Sequence, residues 1–262
     1  YKMNIRACIF DLGGTIVDRY SRTPFLSLKN AFQKRNIRID DRLIFRDMGM
    51  HKLNHIQEIL KDPYVCIDWM NKYGHIPNNG EEEGIYNDFN EIQILNTIDY
   101  MDILPETKGV FSYLQSKDIK TGVTTGFNKE IMEIIKWKLD DEKIFIDNYV
   151  SSTCLNRPSR PHPYMIYENM EKLKIKNPRN VIKIDDTQVG IEEGKNAGCI
   201  TVGVYKWSTY MKMSEVDKSL TSDELEYKMN ESKGTLNAVN PDFLIGSLDE
   251  LPRIIKFLNH YK

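Results

Sequence analysis

The stretch Ala7-Cys8-Ile9-Phe10-Asp11-Leu12-Gly13-Gly14-Thr15 decides the fold of this 262-residue chain. Its first four residues are apolar, and the run stops at an acidic residue that is soon followed by two glycines. A short, continuously apolar run bounded by turn residues is typical of a strand buried on both faces, as in a parallel sheet. Ligands of open α/β sheets bind at the carboxyl ends of the strands, so Asp11 and Gly13 stand where a binding site is expected. The alternative is a plain strand-terminating turn.

Similar apolar runs recur along the chain and predict five further strands, at 121–124, 145–150, 180–184, 200–204 and 243–245. Stretches with helical periodicity lie between them, at 108–116, 129–137, 163–173, 190–196 and 248–258. Strands that alternate with helices indicate βαβ units. We therefore expect an α/β fold, Rossmann-like, with a parallel sheet and helices on both faces.

One long segment interrupts this alternation soon after the first strand. It contains helical patterns at 25–35, 42–48, 52–60 and 85–95 and no convincing strand. We interpret it as an inserted α-helical cap domain at 21–100. The core domain is then discontinuous and consists of residues 1–20 and 101–262.

Composition excludes several classes of protein. The formal net charge of -2 and the pI near 6.3 give no electrostatic reason to expect a nucleic-acid partner. No apolar run approaches the roughly 20 residues that span a bilayer, so we expect no membrane association. The four cysteines are far apart, and no signal-peptide pattern opens the sequence. These features predict a cytoplasmic protein with reduced thiols.

Adjacent carboxylates follow the predicted strand at 180–184. Asp185 and Asp186 repel each other unless a cation or hydrogen bonds intervene. Mg²⁺ prefers a few carboxylates together with water and phosphate oxygens, so the pair suggests a magnesium site. A solvated surface pair is the alternative, which a second acidic strand end at Asp11 makes less attractive.

Two further segments carry groups that suit an anion. Thr125 and Gly126 precede a predicted helix, whose N-terminus carries partial positive charge. Arg160 lies among prolines and serine in the segment Pro158-Ser159-Arg160-Pro161-His162-Pro163, and a guanidinium held in this way suits a phosphate or a carboxylate. An ordinary surface arginine is the alternative.

Together, these segments resemble the four motifs of the haloacid dehalogenase (HAD) superfamily, whose members use an Asp nucleophile and Mg²⁺, mostly for phosphoryl transfer. Within it, the chain most resembles the phosphonoacetaldehyde hydrolase (phosphonatase) family, and the similarity runs nearly end to end. The residues that carry this resemblance are 11–18, 48–52 with His55, 124–126, 160–163, 182–187 and 193–198.

The resemblance implies that Asp11 and Lys52 are catalytic. Lys52 would form a Schiff base with phosphonoacetaldehyde, and Asp11 would attack phosphorus to give an aspartyl-phosphate intermediate, with acetaldehyde and phosphate as products. Ordinary HAD phosphatases carry an acid at the position of Gly13, and this acid protonates the alcohol leaving group. Glycine has no proton to give. On one helix advancing roughly 100° per residue, Met48, Lys52 and His55 would face one pocket. A solvated Lys52 and a packed core His55 are the alternatives.

The same resemblance implies the remaining ligands. Mg²⁺ would be held by Asp11, Asp186 and the Gly13 carbonyl, with Asp185 nearby. Substrate-binding residues would be Gly13, Met48, His55, Thr125, Gly126 and Arg160. The family also suggests a homodimer.

Several positions depart from the family pattern. Phe127 replaces a usual Tyr, Ser21 a usual Cys, and Asp185 a common Gly, while Gly190 replaces a downstream Asp that supports the metal. Two other functions therefore stay open. One is a HAD-type phosphatase or phosphomutase acting on a small phosphate ester, and the other is a catalytically silent relative that binds a ligand or partner.

Overall fold

The six strands form one parallel sheet in a computed structural model that describes residues 4–213 and 219–260. The sheet order is β3-β2-β1-β4-β5-β6. The strands are β1 (Ala7–Phe10), β2 (Lys120–Thr125), β3 (Asn148–Ser151), β4 (Val181–Asp185), β5 (Ile200–Val204) and β6 (Phe243–Ile245). Because β1 lies at the centre of this order, between β2 and β4, its carboxyl end meets the ends of both neighbours.

Helices cover both faces of the sheet. They are α6 (Thr107–Ser116), α7 (Lys129–Asp141), α8 (Tyr164–Lys172), α9 (Gln188–Ala197), α10 (Ser222–Asn237) and α11 (Leu251–His260). Side chains alternate along β1, so that Ile9 belongs to a buried cluster with Ile166 of α8, whereas Phe10 meets Phe111 of α6 with the ring centroids 4.8 Å apart and the ring planes tilted by 36°. The predicted α/β fold class is confirmed.

Five further helices occupy the segment between β1 and α6. They are α1 (Arg22–Gln33), α2 (Asp41–Arg46), α3 (Lys52–Leu60), α4 (Pro63–Tyr73) and α5 (Asn79–Tyr100). Short 3-10 helices lie at Arg19–Ser21, Pro178–Asn180, Thr209–Met211 and Leu248–Glu250. We call α1 to α5 the cap. The boundaries predicted for the cap at 21–100 and for the core at 1–20 and 101–262 stay a prediction.

Backbone hydrogen bonds join the two linkers between the cap and the sheet. Val17 forms an antiparallel bridge with Ile103, and the N–H of Leu104 donates to the carbonyl of Ile16 at 3.0 Å. The N–H of Asp18 donates to the carbonyl of Asp102 at 2.7 Å. The linkers therefore run side by side as one paired strap.

Several elements differ from the prediction, and the largest difference in extent is that of α5, which covers Asn79–Tyr100 instead of 85–95. β3 begins at Asn148 rather than 145, because the carboxylate of Asp147 accepts hydrogen bonds from the N–H and hydroxyl of Thr121 before pairing starts. Helix α4 was not among the predicted helices, although Asp62 caps it and Pro63 occupies its first turn. Within the described residues, no helix combines the length and the apolar character needed to cross a bilayer.

Candidate active site

Three carboxylates converge at the carboxyl ends of the two central strands. Asp11 follows β1, while Asp185 ends β4 and Asp186 comes next. The N–H of Asp11 donates to the carbonyl of Ile184 at 3.0 Å, which keeps the two strand ends together. One oxygen from each carboxylate lies within 4.8 Å of the others.

Arg160 orients the carboxylate of Asp11. Its Nη2 lies 2.9 Å from Oδ1 of Asp11, and both side chains are buried. Burial and the neighbouring Asp185 carboxylate raise the pKa of Asp11 to about 6, against the opposing effect of Arg160. Asp11 is therefore ionised at neutral pH, with one oxygen paired to Arg160.

The other two carboxylates have different partners. Asp185 accepts hydrogen bonds from the N–H and the hydroxyl of Thr187 at 2.9 and 2.7 Å and lies 2.9 Å from Nζ of Lys183. Burial opposes its ionised form, yet Lys183 and Arg160 hold the pKa of Asp185 below its usual value. For Asp186, burial together with Asp11 and Asp185 raises the pKa well above the usual value.

Asp186 is held in place from two sides. The hydroxyl of Thr15 donates to its Oδ1 at 3.1 Å, and the N–H of Thr209 donates to its Oδ2 at 3.0 Å. Gly14 has a φ of +78°, and a Cβ there would overlap the Asp186 carboxylate. The glycine of the first motif is therefore required by this close approach.

The carboxylate cluster fits a divalent cation. Four buried carboxylates, the three above and Glu193, share the site with the cations Arg160 and Lys183. When all four carboxylates are ionised and the Lys52 amine is neutral, two negative charges are left uncompensated in a buried environment. Since Mg²⁺ carries two positive charges and prefers oxygen ligands, the residues present match the magnesium site that the sequence predicts.

A cleft opens beside Asp11 between the sheet edge and the cap. It is lined by Asp11, Gly13, Ser21, Pro24, Met48, Gly49, Lys52, Thr125, Gly126, Phe127 and Thr187. The Lys52 side chain is only 4 % exposed, although lysine is normally a surface residue. Its Nζ lies 3.2 Å from the Met50 carbonyl, 3.9 Å from the Met48 sulfur and 5.8 Å from the centre of the Phe127 ring. Burial lowers the pKa of Lys52 to about 8.

The cap meets the core directly beside this cleft. Nη1 of Arg160 donates to the carbonyl of Gly49 at 3.3 Å. A Cβ at Gly126 would lie 2.5 Å from the Met50 carbonyl oxygen and 2.7 Å from that of Gly49. The loop of residues 48–50 is therefore seated against the end of β2, which brings Lys52 into the same cleft as Asp11.

The structure brings most predicted site residues together. Asp11, Gly13, Met48, Lys52, Thr125 and Gly126 line the cleft, and Arg160, Asp185 and Asp186 are buried next to Asp11. The expectation that Met48, Lys52 and His55 share one helix is wrong, because α2 ends at Arg46 and Gly49 turns the chain at a φ of +95° before α3 begins at Lys52.

His55 is not among the cleft-lining residues. Its ring is fully buried, and Nε2 lies 3.4 Å from the carbonyl of Leu43. Burial, aided by the positive charge of Lys52, lowers the pKa of His55 well below its usual value, so the ring is neutral. This geometry favours the packed histidine that was the alternative for this position.

Sequence reasoning assigned no role to Thr124, Lys183 and Glu193, which lie behind the cleft. Lys183 is completely buried in β4, and its Nζ lies 2.8 Å from the hydroxyl of Thr124 and 3.4 Å from Glu193. The available signal was a single lysine inside the apolar strand of residues 181–184, because a buried lysine requires a charge partner.

Known proteins resemble the chain in sequence and structure. The family model for haloacid dehalogenase-like hydrolases matches residues 5–198. A phosphonoacetaldehyde hydrolase from Paraburkholderia xenovorans is 34% identical over 254 residues, which cover 96% of this chain and 94% of the relative. The corresponding protein from Bacteroides fragilis is 30% identical over 256 residues, 97% of each chain.

Solved structures agree with these matches. The crystal structure of a phosphonoacetaldehyde hydrolase-like protein from Oleispira antarctica has a TM-score of 0.93 at 26% identity and covers 100% of this chain and 96% of that one. A β-phosphoglucomutase from Clostridium difficile shares the fold, with a TM-score of 0.69 at 21% identity over 98% of both chains. The chain is thus an enzyme that belongs to the haloacid dehalogenase-like hydrolases, and the two relatives described above at 34% and 30% identity are phosphonoacetaldehyde hydrolases.

Proposed function

We propose that this enzyme cleaves the C–P bond of phosphonoacetaldehyde, with Lys52 and Asp11 as its catalytic residues. The observation that carries the proposal is the buried amine of Lys52 in the same cleft as the Asp11 carboxylate. The names of the relatives that match end to end support the same substrate.

Lys52 activates the carbon side of the bond. An amine attacks a carbonyl only in its neutral form, and the pKa of about 8 leaves a useful neutral fraction near pH 7. Condensation with the aldehyde releases water and gives an imine whose protonated form accepts electrons. When the C–P bond breaks, its electron pair therefore moves into an enamine rather than onto a bare carbanion. Protonation and hydrolysis then release acetaldehyde and free Lys52.

Asp11 acts on the phosphorus side. Arg160 holds Oδ1 of Asp11, which leaves Oδ2 to attack phosphorus and form the aspartyl phosphate that water later hydrolyses. Gly13 could not protonate an alcohol leaving group, because glycine has no acidic side chain. The imine removes that requirement, because the leaving group is carbon and the electron pair of the breaking C–P bond moves into the enamine.

Arg160, Thr125 and Gly126 are the groups proposed to hold the phosphonate oxygens. Asp11, Asp186 and the Gly13 carbonyl would hold Mg²⁺, with Asp185 beside them. The ion would neutralise charge on the phosphonate oxygens, the electrostatic role that metals have in phosphoryl transfer. Closure of the cap would exclude water from the imine and bring Lys52 to Asp11.

Trapping the imine tests the proposal. Borohydride added in the presence of phosphonoacetaldehyde should reduce the imine to a stable adduct on Lys52, located by peptide mass spectrometry. Lys52→Arg keeps the charge but cannot form an imine, so we expect no adduct and near-complete loss of acetaldehyde release. Lys61→Arg, at the exposed end of the same helix, is the matched control and should retain full turnover.

Other results would point to the alternatives. Phosphate release from a panel of phosphate monoesters, with no adduct at Lys52, would identify a phosphatase or phosphomutase. Loss of phosphate release from phosphonoacetaldehyde in Asp11→Asn would exclude a catalytically silent protein. Retained C–P cleavage by Lys52→Arg would refute the role of Lys52.

A further inference from the structure

Glu193, on α9, is a buried acid for which the mechanism above has no use. Its Oε2 accepts hydrogen bonds from Nε of Arg160 and from the hydroxyl of Thr124, both at 2.9 Å. The same oxygen lies 3.4 Å from Nζ of Lys183. Glu193 does not line the cleft, so it acts only through these neighbours.

The contact at Nε determines where the rest of the guanidinium points. The group is planar, and fixing Nε leaves its two terminal nitrogens little freedom. Nη2 then lies 2.9 Å from Asp11 and 2.6 Å from the carbonyl of Thr124, while Nη1 faces the carbonyl of Gly49 in the cap. The position of Arg160 relative to the nucleophile therefore depends on Glu193.

One feature of Glu193 does not stabilise the fold, namely its second carboxylate oxygen. Its Oε1 is buried and has no hydrogen-bond partner among the described residues, which is costly for a carboxylate. Asp11, Asp185 and Asp186 would still outnumber Arg160 and Lys183 if Glu193 lost its charge. Neutralising Glu193 therefore leaves no buried cation without a carboxylate.

We infer that Glu193 is a positioning residue, which aims Arg160 at Asp11 and at the phosphoryl group. The inference rests on the proposed function in one respect, namely that Arg160 holds the phosphonate oxygens. A neutral amide in place of the carboxylate keeps the shape but weakens the bond to Nε, since a charge-assisted hydrogen bond is about twice as strong as a neutral one. The guanidinium then loses its fixed orientation.

A double-mutant cycle with Glu193→Gln and Arg160→Lys tests the inference. We expect Glu193→Gln to lower kcat for phosphonoacetaldehyde by about 10- to 100-fold, the usual effect of removing a residue that orients a functional group, with the melting temperature retained. Binding of inorganic phosphate, measured by calorimetry, should weaken as well. In the Arg160→Lys background, Glu193→Gln should have little further effect on either quantity, because it acts through Arg160.

Glu192→Gln makes the same change at the neighbouring, exposed position of α9 and should leave kcat and phosphate binding unchanged. A readout that needs no turnover is the Nε–H signal of Arg160 in ¹⁵N-arginine-labelled protein, assigned by its loss in Arg160→Lys. This proton should exchange with solvent at least tenfold faster in Glu193→Gln.

The outcomes separate the two proposals. Equal losses on Glu193→Gln with and without Arg160, or an unchanged Nε–H exchange rate, would overturn the positioning role while the proposed function stands. Failure of the parent enzyme to cleave phosphonoacetaldehyde would overturn the proposed function. Faster Nε–H exchange and weaker phosphate binding in Glu193→Gln would still support the positioning role.

Discussion

At the scale of single residues, Asp185 and Gly190 depend on each other. The carboxylate of Asp185 occupies the space in which a Cβ at position 190 would have to lie. The phosphonatases that the sequence resembles commonly have Gly at the first position and Asp at the second. The two departures therefore compensate for each other, because Asp185 supplies the carboxylate that position 190 lacks and the site keeps one carboxylate there.

Reversing the two departures gives a direct prediction. Asp185→Gly alone should raise the Mg²⁺ concentration needed for half-maximal phosphate release by about tenfold or more, the usual cost of losing a carboxylate next to a metal site. Gly190→Asp alone should lower the melting temperature, because its side chain overlaps Asp185. The double variant should recover most of both properties, and a double variant as poor as Asp185→Gly would contradict the compensation.

The pH dependence of imine formation follows from the lowered pKa of Lys52. Protonation removes the nucleophilic lone pair, so the rate of borohydride trapping with acetaldehyde should rise about tenfold per pH unit below the pKa and level off above about pH 8. A solvated lysine would continue to gain rate up to about pH 10.4. Trapping that still increases between pH 9 and pH 10 would contradict the burial of this amine.

Site residues at strand ends could be predicted from sequence, whereas residues that contact them without lining the cleft could not. Asp11 and Asp186 were predicted because an acid that ends an apolar run is a local pattern. The role of Glu193 depends on Arg160, which is 33 positions away in the chain. His55 was misplaced because its direction depends on where α3 begins, and the turn at Gly49 sets that start.

At the scale of elements, the seam between the loop of residues 48–50 and β2 is sensitive to one methyl group. Gly126→Ala would place a Cβ against the carbonyl oxygens of Gly49 and Met50, both of which are backbone atoms. We expect the cap to seat less completely, with a kcat reduced by about 10²-fold, the loss that a displacement of about 1 Å can cause. Steady-state kinetics and limited proteolysis of the cap would measure the two effects.

The control for this substitution is Gly109→Ala in α6, where nothing lies within 4 Å of the new Cβ. Because alanine favours a helix, this variant should gain about 0.5–1 kcal/mol in the free energy of unfolding and keep its activity. Full activity in Gly126→Ala would show that the seam does not govern turnover.

Element boundaries were less predictable than element types. Apolar runs correctly identified all six strands, because the four inner strands are almost completely buried and the edge strands β3 and β6 are buried in part. The start of β3 was missed, since the bond between Asp147 and Thr121 is a tertiary contact that no local pattern records. Helix α4 lacks a clean apolar stripe and exposes Tyr64, Ile67 and Met70, so its periodicity was weak even though its first turn carries a clear signal.

At the scale of the whole molecule, Asp18 couples stability to pH. Burial raises the pKa of its carboxyl to about 7, even though Thr23 donates hydrogen bonds to it. The unfolded chain ionises this group at about pH 4, so the folded state becomes less stable as the pH rises from about 4 to 7.

Asp18→Asn removes that titration. Its free energy of unfolding should match that of the parent near pH 4 and exceed it at pH 8. Urea denaturation with a chelator present, at both pH values, measures the difference. Asp11 and Asp186 titrate in parent and variant alike, so they cancel in the comparison. A variant less stable than the parent at pH 8 would contradict the raised pKa.

The paired strap formed by the two linkers also limits how the cap can travel. A single flexible linker would let the cap rotate freely relative to the core. Two linkers joined by the β-bridge between Val17 and Ile103 instead allow rotation about one axis. Twisting or sliding the cap would break the backbone bonds between the chains, while swinging it would leave them intact. In the proposed reaction, a cap that opens and closes would therefore follow one arc, which would return the Lys52 amine to the same place beside Asp11 at each turnover.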